Sequence, residues 1–163
     1  MKKLAMFNNK GGVGKSTSAI NVAHAMTRLG KKVLVVDCDT QQNTFFFFSG
    51  KKNEHYCSKT RYDNLKIALD IANGYDIDCD YAILDLPPAL DERTRQIVSS
   101  CDYVFVPIEL GKFAIQGVAK VTQTIATTGT KFGGCFVNKF DKDNPADHKL
   151  DVALRQTFGS QAL

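Results

Sequence analysis

Eight consecutive residues, Lys10-Gly11-Gly12-Val13-Gly14-Lys15-Ser16-Thr17, limit what this chain can fold into more than any other feature. They lie directly after an apolar, β-favouring run and directly before a segment of helical period, the setting a phosphate loop requires. Glycines let the backbone curl until successive N–H groups converge on an anion, and the start of the helix adds its positive dipole end. Lys15 is then placed to reach β- and γ-phosphates, and the Ser16 hydroxyl to ligate Mg²⁺. A turn that only linked strand to helix would have no need of Gly-Lys-Ser at the helix start.

The rest of the chain alternates in the same way, with no fixed-period repeat. Strands are expected at residues 4–8, 32–37, 81–85, 103–107 and 132–138, and helices at 16–29, 62–73, 91–100, 113–127 and 146–158. A polar, irregular stretch is expected between Thr40 and Arg61. The near-continuous apolar runs at 33–36 and 83–84 suit strands covered on both faces. The expected fold is therefore α/β, a doubly wound and mainly parallel sheet of about five strands with helices on both sides. In such sheets ligands bind beyond the carboxyl ends of the strands. With 163 residues the chain reads as a single domain spanning 1–163.

Composition narrows the function classes. The chain is 44% hydrophobic and 23% charged, as ordinary globular proteins are, and no run approaches the ~18 apolar residues of a membrane span. No secretory leader is apparent. The five cysteines are odd in number and scattered, and neither they nor the three histidines have metal-ligand spacing, so reduced thiols and a cytoplasmic setting are expected. A net charge of +4 tolerates a polyanionic partner without requiring one.

Two further acidic sites fall where the fold places chemistry. Asp37 and Asp39 follow the second strand, separated by Cys38, so both carboxylates can face one crevice near a bound Mg²⁺; an acidic loop that simply ends a strand is the plainer reading. Asp85 closes the run Tyr-Ala-Ile-Leu-Asp and precedes Leu86-Pro87-Pro88. An acidic residue there can hold a metal through water. Four phenylalanines at 45–48 exceed what one strand face can bury, and are read as core packing, a dimer or partner surface, or a membrane wedge.

The loop departs from the general G-x-x-x-x-G-K-[ST] pattern, with Asn9 at the first glycine position and a lysine at position 10. K-G-G-x-G-K-[ST] resembles the deviant Walker A motif of the ParA and MinD group of P-loop ATPases, and the ParA (Soj-like) partition proteins most. Asp37-Cys38-Asp39-Thr40-Gln41-Gln42-Asn43 resembles that group's D-x-D-P-Q-x-N, with Thr40 in place of proline. The segment from Cys101 to Pro107 resembles its A-D-x-V-x-x-P, and residues 113–118 the helix start after it. Asn138 stands where the family hydrogen-bonds adenine, although a strand-ending turn asparagine is the alternative.

The resemblance implies an ATPase that binds ATP and Mg²⁺ as a homodimer. Lys10 reaches the partner's phosphates, unless it is merely a solvated surface lysine. The resemblance casts Lys10, Lys15 and Asp39 as catalytic, Asp39 positioning the attacking water, and assigns nucleotide binding to Gly11, Gly12, Val13, Gly14, Lys15, Ser16, Thr17 and Asn138. Ser16, Asp37 and Asp85 form the metal set. It further implies nonspecific DNA binding, a ParB-like adaptor that stimulates slow hydrolysis, plasmid or chromosome partition as the setting, and a cytoplasmic or nucleoid-associated location. Lys51, Lys52, Lys59 and Arg61 are candidates for DNA phosphates, or a solvated face. The usual C-terminal strand and DNA-binding helix find no match in the chain. A MinD-like membrane association is not expected, because residues 151–158 are too short and too weakly basic for an anchor. A non-hydrolysing interaction module remains the other alternative. A nitrogenase-reductase-like carrier would need paired cluster cysteines after the Asp85 strand, where only Cys101 and Cys135 lie and neither is followed by the glycine that family places after its ligands.

Overall fold

The computed structural model describes residues 1–39, 41, 43, 44, 47, 79–111 and 113–163. The expected helix at 62–73, Thr40, three of the four clustered phenylalanines and the basic residues Lys51, Lys52, Lys59 and Arg61 lie outside them. In chain order the described elements are β1 (Lys2–Met6), α1 (Lys15–Arg28), β2 (Val33–Asp37), β3 (Tyr81–Asp85), α2 (Glu92–Ser99), β4 (Tyr103–Glu109), α3 (Ala114–Ala126), β5 (Lys131–Asn138) and α4 (Pro145–Phe158). The five strands form one sheet in the order β2-β3-β1-β4-β5, every pair parallel.

This order sets the position of the site. β1 sends its connection past β3 to β2, whereas β3 sends its own past β1 to β4. Neighbouring strands whose connections leave in opposite directions open a crevice at their carboxyl ends. The sheet is covered on both faces, as its apolar strands require. On one side α1 packs Ala19 and Ala23 against Met6, Val33, Val35 and Ile83. On the other, Ile97 and Val98 of α2, Val118, Val121 and Ile125 of α3, and Leu154 of α4 pack on Leu34, Val36, Leu84, Val104 and Val106.

Helix boundaries follow local chemistry. Asp91 caps α2 by accepting a hydrogen bond from the Thr94 N–H at 2.8 Å, and that bond holds its carboxyl below the usual range. Pro145 opens α4, where its missing N–H costs nothing, behind an Asn144 cap. The four described cysteines outside the 48–78 stretch, Cys38, Cys79, Cys101 and Cys135, are free thiols.

β2 and β5 each begin one residue away from the expected position, whereas β1 and β4 depart from expectation by two. β1 runs earlier, its ladder beginning with Lys2 N–H to the Asp80 carbonyl at 2.8 Å. β4 continues through Pro107 to Glu109, although a proline within a strand argues for its end. β1 pairs with β4 only as far as Phe105, so the donor that Pro107 lacks falls where β1 has already left the sheet. The Pro107 carbonyl on that side is taken by the Asn8 amide at 2.9 Å. Opposite, a bulge between Val104 and Phe105 shifts the pairing with β5 past Gly133, where a Cβ would meet the Phe105 ring at 2.8 Å.

Removing the α2 cap tests this account of its boundary: Asp91→Ala is expected to lower the unfolding free energy by about 1 kcal/mol in urea denaturation, with an unchanged slope.

Candidate functional site

The parallel register lines up three strand ends. Met6 of β1 is opposite Asp85 of β3, and Asp85 is opposite Asp37 of β2. Alternation along the strands puts all three on the face covered by α1, since Val35 and Ile83 pack there while Val36 and Leu84 pack on the other side. The two sequence-predicted carboxylates are thus brought together at the foot of the glycine loop. Asp37 is 5% exposed and Asp85 fully buried.

The loop itself has the form its sequence demands. Gly12 and Gly14 take φ of +74° and +94°, a region only glycine enters freely. Gly14 is also the N-cap of α1, which has no side-chain cap and no acidic residue in its first turn. The first N–H groups of α1 and its dipole end are therefore left for an anion. Lys15 is buried, and its ammonium is 3.3 Å from the Lys10 carbonyl. Burial lowers its pKa, with Asp85 and Asp39 pulling it partly back.

Two asparagine side chains hold the loop, one at Lys10 and one at Val13. Asn8 is buried; besides bonding Pro107, its Oδ1 accepts from the Lys10 N–H at 3.0 Å. Asn138 donates from Nδ2 to the Val13 carbonyl at 3.0 Å and packs directly on Gly14, where any Cβ would collide with it. Sequence reasoning assigned Asn8 nothing beyond the end of a strand.

A cavity of about 590 Å³ lies over the loop, lined by Gly11, Gly12, Gly14, Lys15, Ser16 and Thr17 and, across from them, by Asp39, Gln41, Asn43 and residues 87–89. Its size is that of a small-molecule site. Asp39 is fixed by two turns: its N–H donates to Asp37 Oδ1 at 3.1 Å, and its own Oδ1 accepts from the Gln41 N–H at 3.0 Å. Lys10 is not in that wall. It borders a second cavity of about 310 Å³ between the loop and α3, where its ammonium is 3.7 Å from Glu109. With 64% of the Lys10 side chain exposed, this pair is too solvated to hold it firmly. Asn138 likewise lies beside the loop rather than among the described lining residues.

Asp85 carries the site's electrostatic strain. Burial pushes its carboxyl up to about 6, against the pull of the Ser16 and Thr44 hydroxyls. Thr44 donates to Oδ2 at 2.7 Å, whereas the buried Oδ1 has no hydrogen-bond partner among the described residues. An orphaned carboxylate oxygen beside a loop hydroxyl fits a hard cation. Among the described residues there is no cluster of three or more acidic, His or Cys side chains that could hold a metal alone. Mg²⁺ in phosphate sites takes few protein ligands, completing its shell with phosphate and water, so Ser16, Asp37 and Asp85 suit it. Thr44, the remaining member of the site, was not signalled by any motif.

The comparisons with known proteins bear on the whole chain. Residues 4–163 match the family described as the CobQ/CobB/MinD/ParA nucleotide binding domain. The chromosome-partitioning ATPase Soj of Thermus thermophilus is 27% identical over 202 residues, covering 100% of this chain and 79% of that protein. The chromosome partitioning protein ParA of Caulobacter vibrioides is 26% identical over 211 residues, covering 99% and 78%. Among solved structures, a plasmid partition protein from Borrelia burgdorferi superposes with a TM-score of 0.82 at 19% identity, covering 99% of this chain and 87% of that one. Cobyrinic acid a,c-diamide synthase from Mycobacterium smegmatis, solved with an ATP analogue and magnesium, gives 0.80 at 20%, covering 98% and 83%.

The raised Asp85 pKa has a measurable sign. Between about pH 4 and 6 the folded protein holds a proton that the unfolded chain has released, so stability falls as pH rises through that window. Asp85→Asn is expected to stabilise the nucleotide- and metal-free protein by roughly 2–3 kcal/mol at pH 7.5 and by about half as much near pH 5, read from denaturation at the two pH values. An equal gain at both would remove the buried charge as its cause.

Proposed function

The chain belongs to the CobQ/CobB/MinD/ParA nucleotide-binding family, and on that premise we propose that it is an ATP-driven switch of the Soj/ParA kind. In this reading it binds Mg²⁺-ATP, associates as a homodimer across the nucleotide, and returns to monomer after slow hydrolysis. The observation that carries the reading is the joint placement of the glycine loop with the Asp37 and Asp85 row beneath it and Asp39 across the cavity.

The roles follow from position. Loop N–H groups and the α1 dipole bind the phosphates, with Gly11, Gly12, Val13 and Gly14 supplying backbone, and Lys15 gives a partly desolvated cation to the β- and γ-phosphates. Thr17 contributes from the exposed first turn of α1. Ser16, Asp37 and Asp85 would hold Mg²⁺, which when bound would neutralise charge on the transferred phosphoryl group. Asp39, in the opposite wall and held by its two turns, orients the attacking water. Asn138, its Nδ2 committed to Val13, offers Oδ1 to the adenine amino group. Lys10 stands outside its own cavity and needs only to leave the weak Glu109 pair to supply charge to a partner's phosphates in trans. Nucleotide bound at a shared interface then stabilises the dimer by linkage.

By the same family likeness, the dimer binds DNA nonspecifically, a ParB-like adaptor stimulates turnover, and the setting is plasmid or chromosome partition in the cytoplasm or on the nucleoid. No helix among the described residues is long and apolar enough to cross a membrane.

Light scattering tests the switch. Asp39→Ala protein should bind ATP, turn it over slowly, and double its mass only with ATP and Mg²⁺, while the Asp39→Ala/Lys10→Ala double variant should bind ATP and stay monomeric. A mass that never changes while ATP binds would favour a non-hydrolysing interaction module instead.

A further inference from the structure

Among the described residues after β2, Thr44 meets the sheet at a buried point. Thr44 is 1% exposed, and its hydroxyl donates to Asp85 Oδ2 at 2.7 Å across 41 residues of sequence. Asp85 is itself fully buried, and its second oxygen has no partner among the described residues. A carboxylate with one oxygen held by a fixed donor cannot turn about its terminal bond without breaking that hydrogen bond. Its free oxygen is therefore presented in one direction, and a hydroxyl bonded to a charged acceptor makes one of the stronger neutral-donor contacts.

We propose that Thr44 is a positioning residue for Asp85: its hydroxyl fixes one carboxylate oxygen, leaves the other for the cation, and so sets how tightly Mg²⁺ is held with nucleotide. The proposal rests on the reading of Asp85 as a metal-holding residue. It also gives the segment a coupling role. Asp39, Gln41 and Asn43 line the cavity opposite the loop, and Thr44 ties that wall to the end of β3. Partners behind metal-holding carboxylates commonly orient them, and losing one weakens metal binding without touching the metal. Asn43 and Thr44 are adjacent, so one side of the segment faces the nucleotide cavity while the next residue anchors it.

The test is a Mg²⁺ titration of binding of a fluorescent non-hydrolysable ATP analogue, reading the Mg²⁺ concentration at half-maximal binding. Thr44→Ser, which keeps the hydroxyl, should match the parent protein. Thr44→Val, nearly the same shape without the donor, should need roughly 10-fold more Mg²⁺ or beyond. Asp85→Asn should also need more, and adding Thr44→Val to it should change nothing further. If Thr44→Val does not fold, as judged by circular dichroism, Thr44→Cys replaces it, since a thiol is a much weaker donor. Parent-like Mg²⁺ demand in Thr44→Val, or equal impairment in Thr44→Ser, would overturn the role of Thr44 while a shift in Asp85→Asn keeps the metal reading. An unshifted Asp85→Asn would contradict the metal reading and, with it, this proposal.

Discussion

The alignment of Met6, Asp85 and Asp37 along one row of the parallel sheet is the constraint from which the rest of the site follows. A slip of one residue in either pairing would turn a carboxylate to the opposite face, away from α1 and the glycine loop. The register is held by the apolar residues that precede each acid, because Val33, Val35 and Ile83 must meet α1 while Leu34, Val36 and Leu84 meet the other helices. Core packing therefore positions the polar groups. The cost is a carboxylate kept out of water, whose pKa burial pushes up to about 6, partly offset by the Ser16 and Thr44 hydroxyls.

The glycine loop depends on the same sheet through different contacts. Positive φ at Gly12 and Gly14 gives it curvature, but curvature alone does not place it. Asn8 joins the backbone of Lys10 to β4, and Asn138 joins the carbonyl of Val13 to β5. The loop is thus suspended between the ends of β1, β4 and β5, with the first N–H groups of α1 left without a side-chain cap. Gly14 serves twice, since neither its backbone conformation nor the space beneath Asn138 admits a side chain.

Much of this was legible in the sequence because it is encoded locally. The alternation of apolar runs and helical segments gave five strands, with β3 at the expected residues, and Gly-Lys-Ser at the start of α1 marked the phosphate loop. The end of β4 was misjudged because the usual objection to Pro107 assumes a neighbour on both sides, and β1 stops short of it. Asn8 and Thr44 were missed for a related reason. Their bonds span 99 and 41 residues and exist only once the strand order is known. A buried asparagine after an apolar strand and a threonine in a polar run carry no signal of their own. The placement of Lys10 was ambiguous in sequence for the opposite reason, since an exposed lysine in a weak ion pair has the same local pattern whether or not it serves a partner.

In the function proposed above, a nucleoside triphosphate binds through Lys15 and the loop, with Mg²⁺ held against the acidic row. Calorimetric titration with a non-hydrolysable ATP analogue, run on the parent chain and on Lys15→Ala, each with Mg²⁺ and with chelator, measures that binding. Saturable one-to-one binding by the parent, weakened by chelation and lost in Lys15→Ala, is expected. No binding by the folded parent, or equal binding by Lys15→Ala, would contradict it.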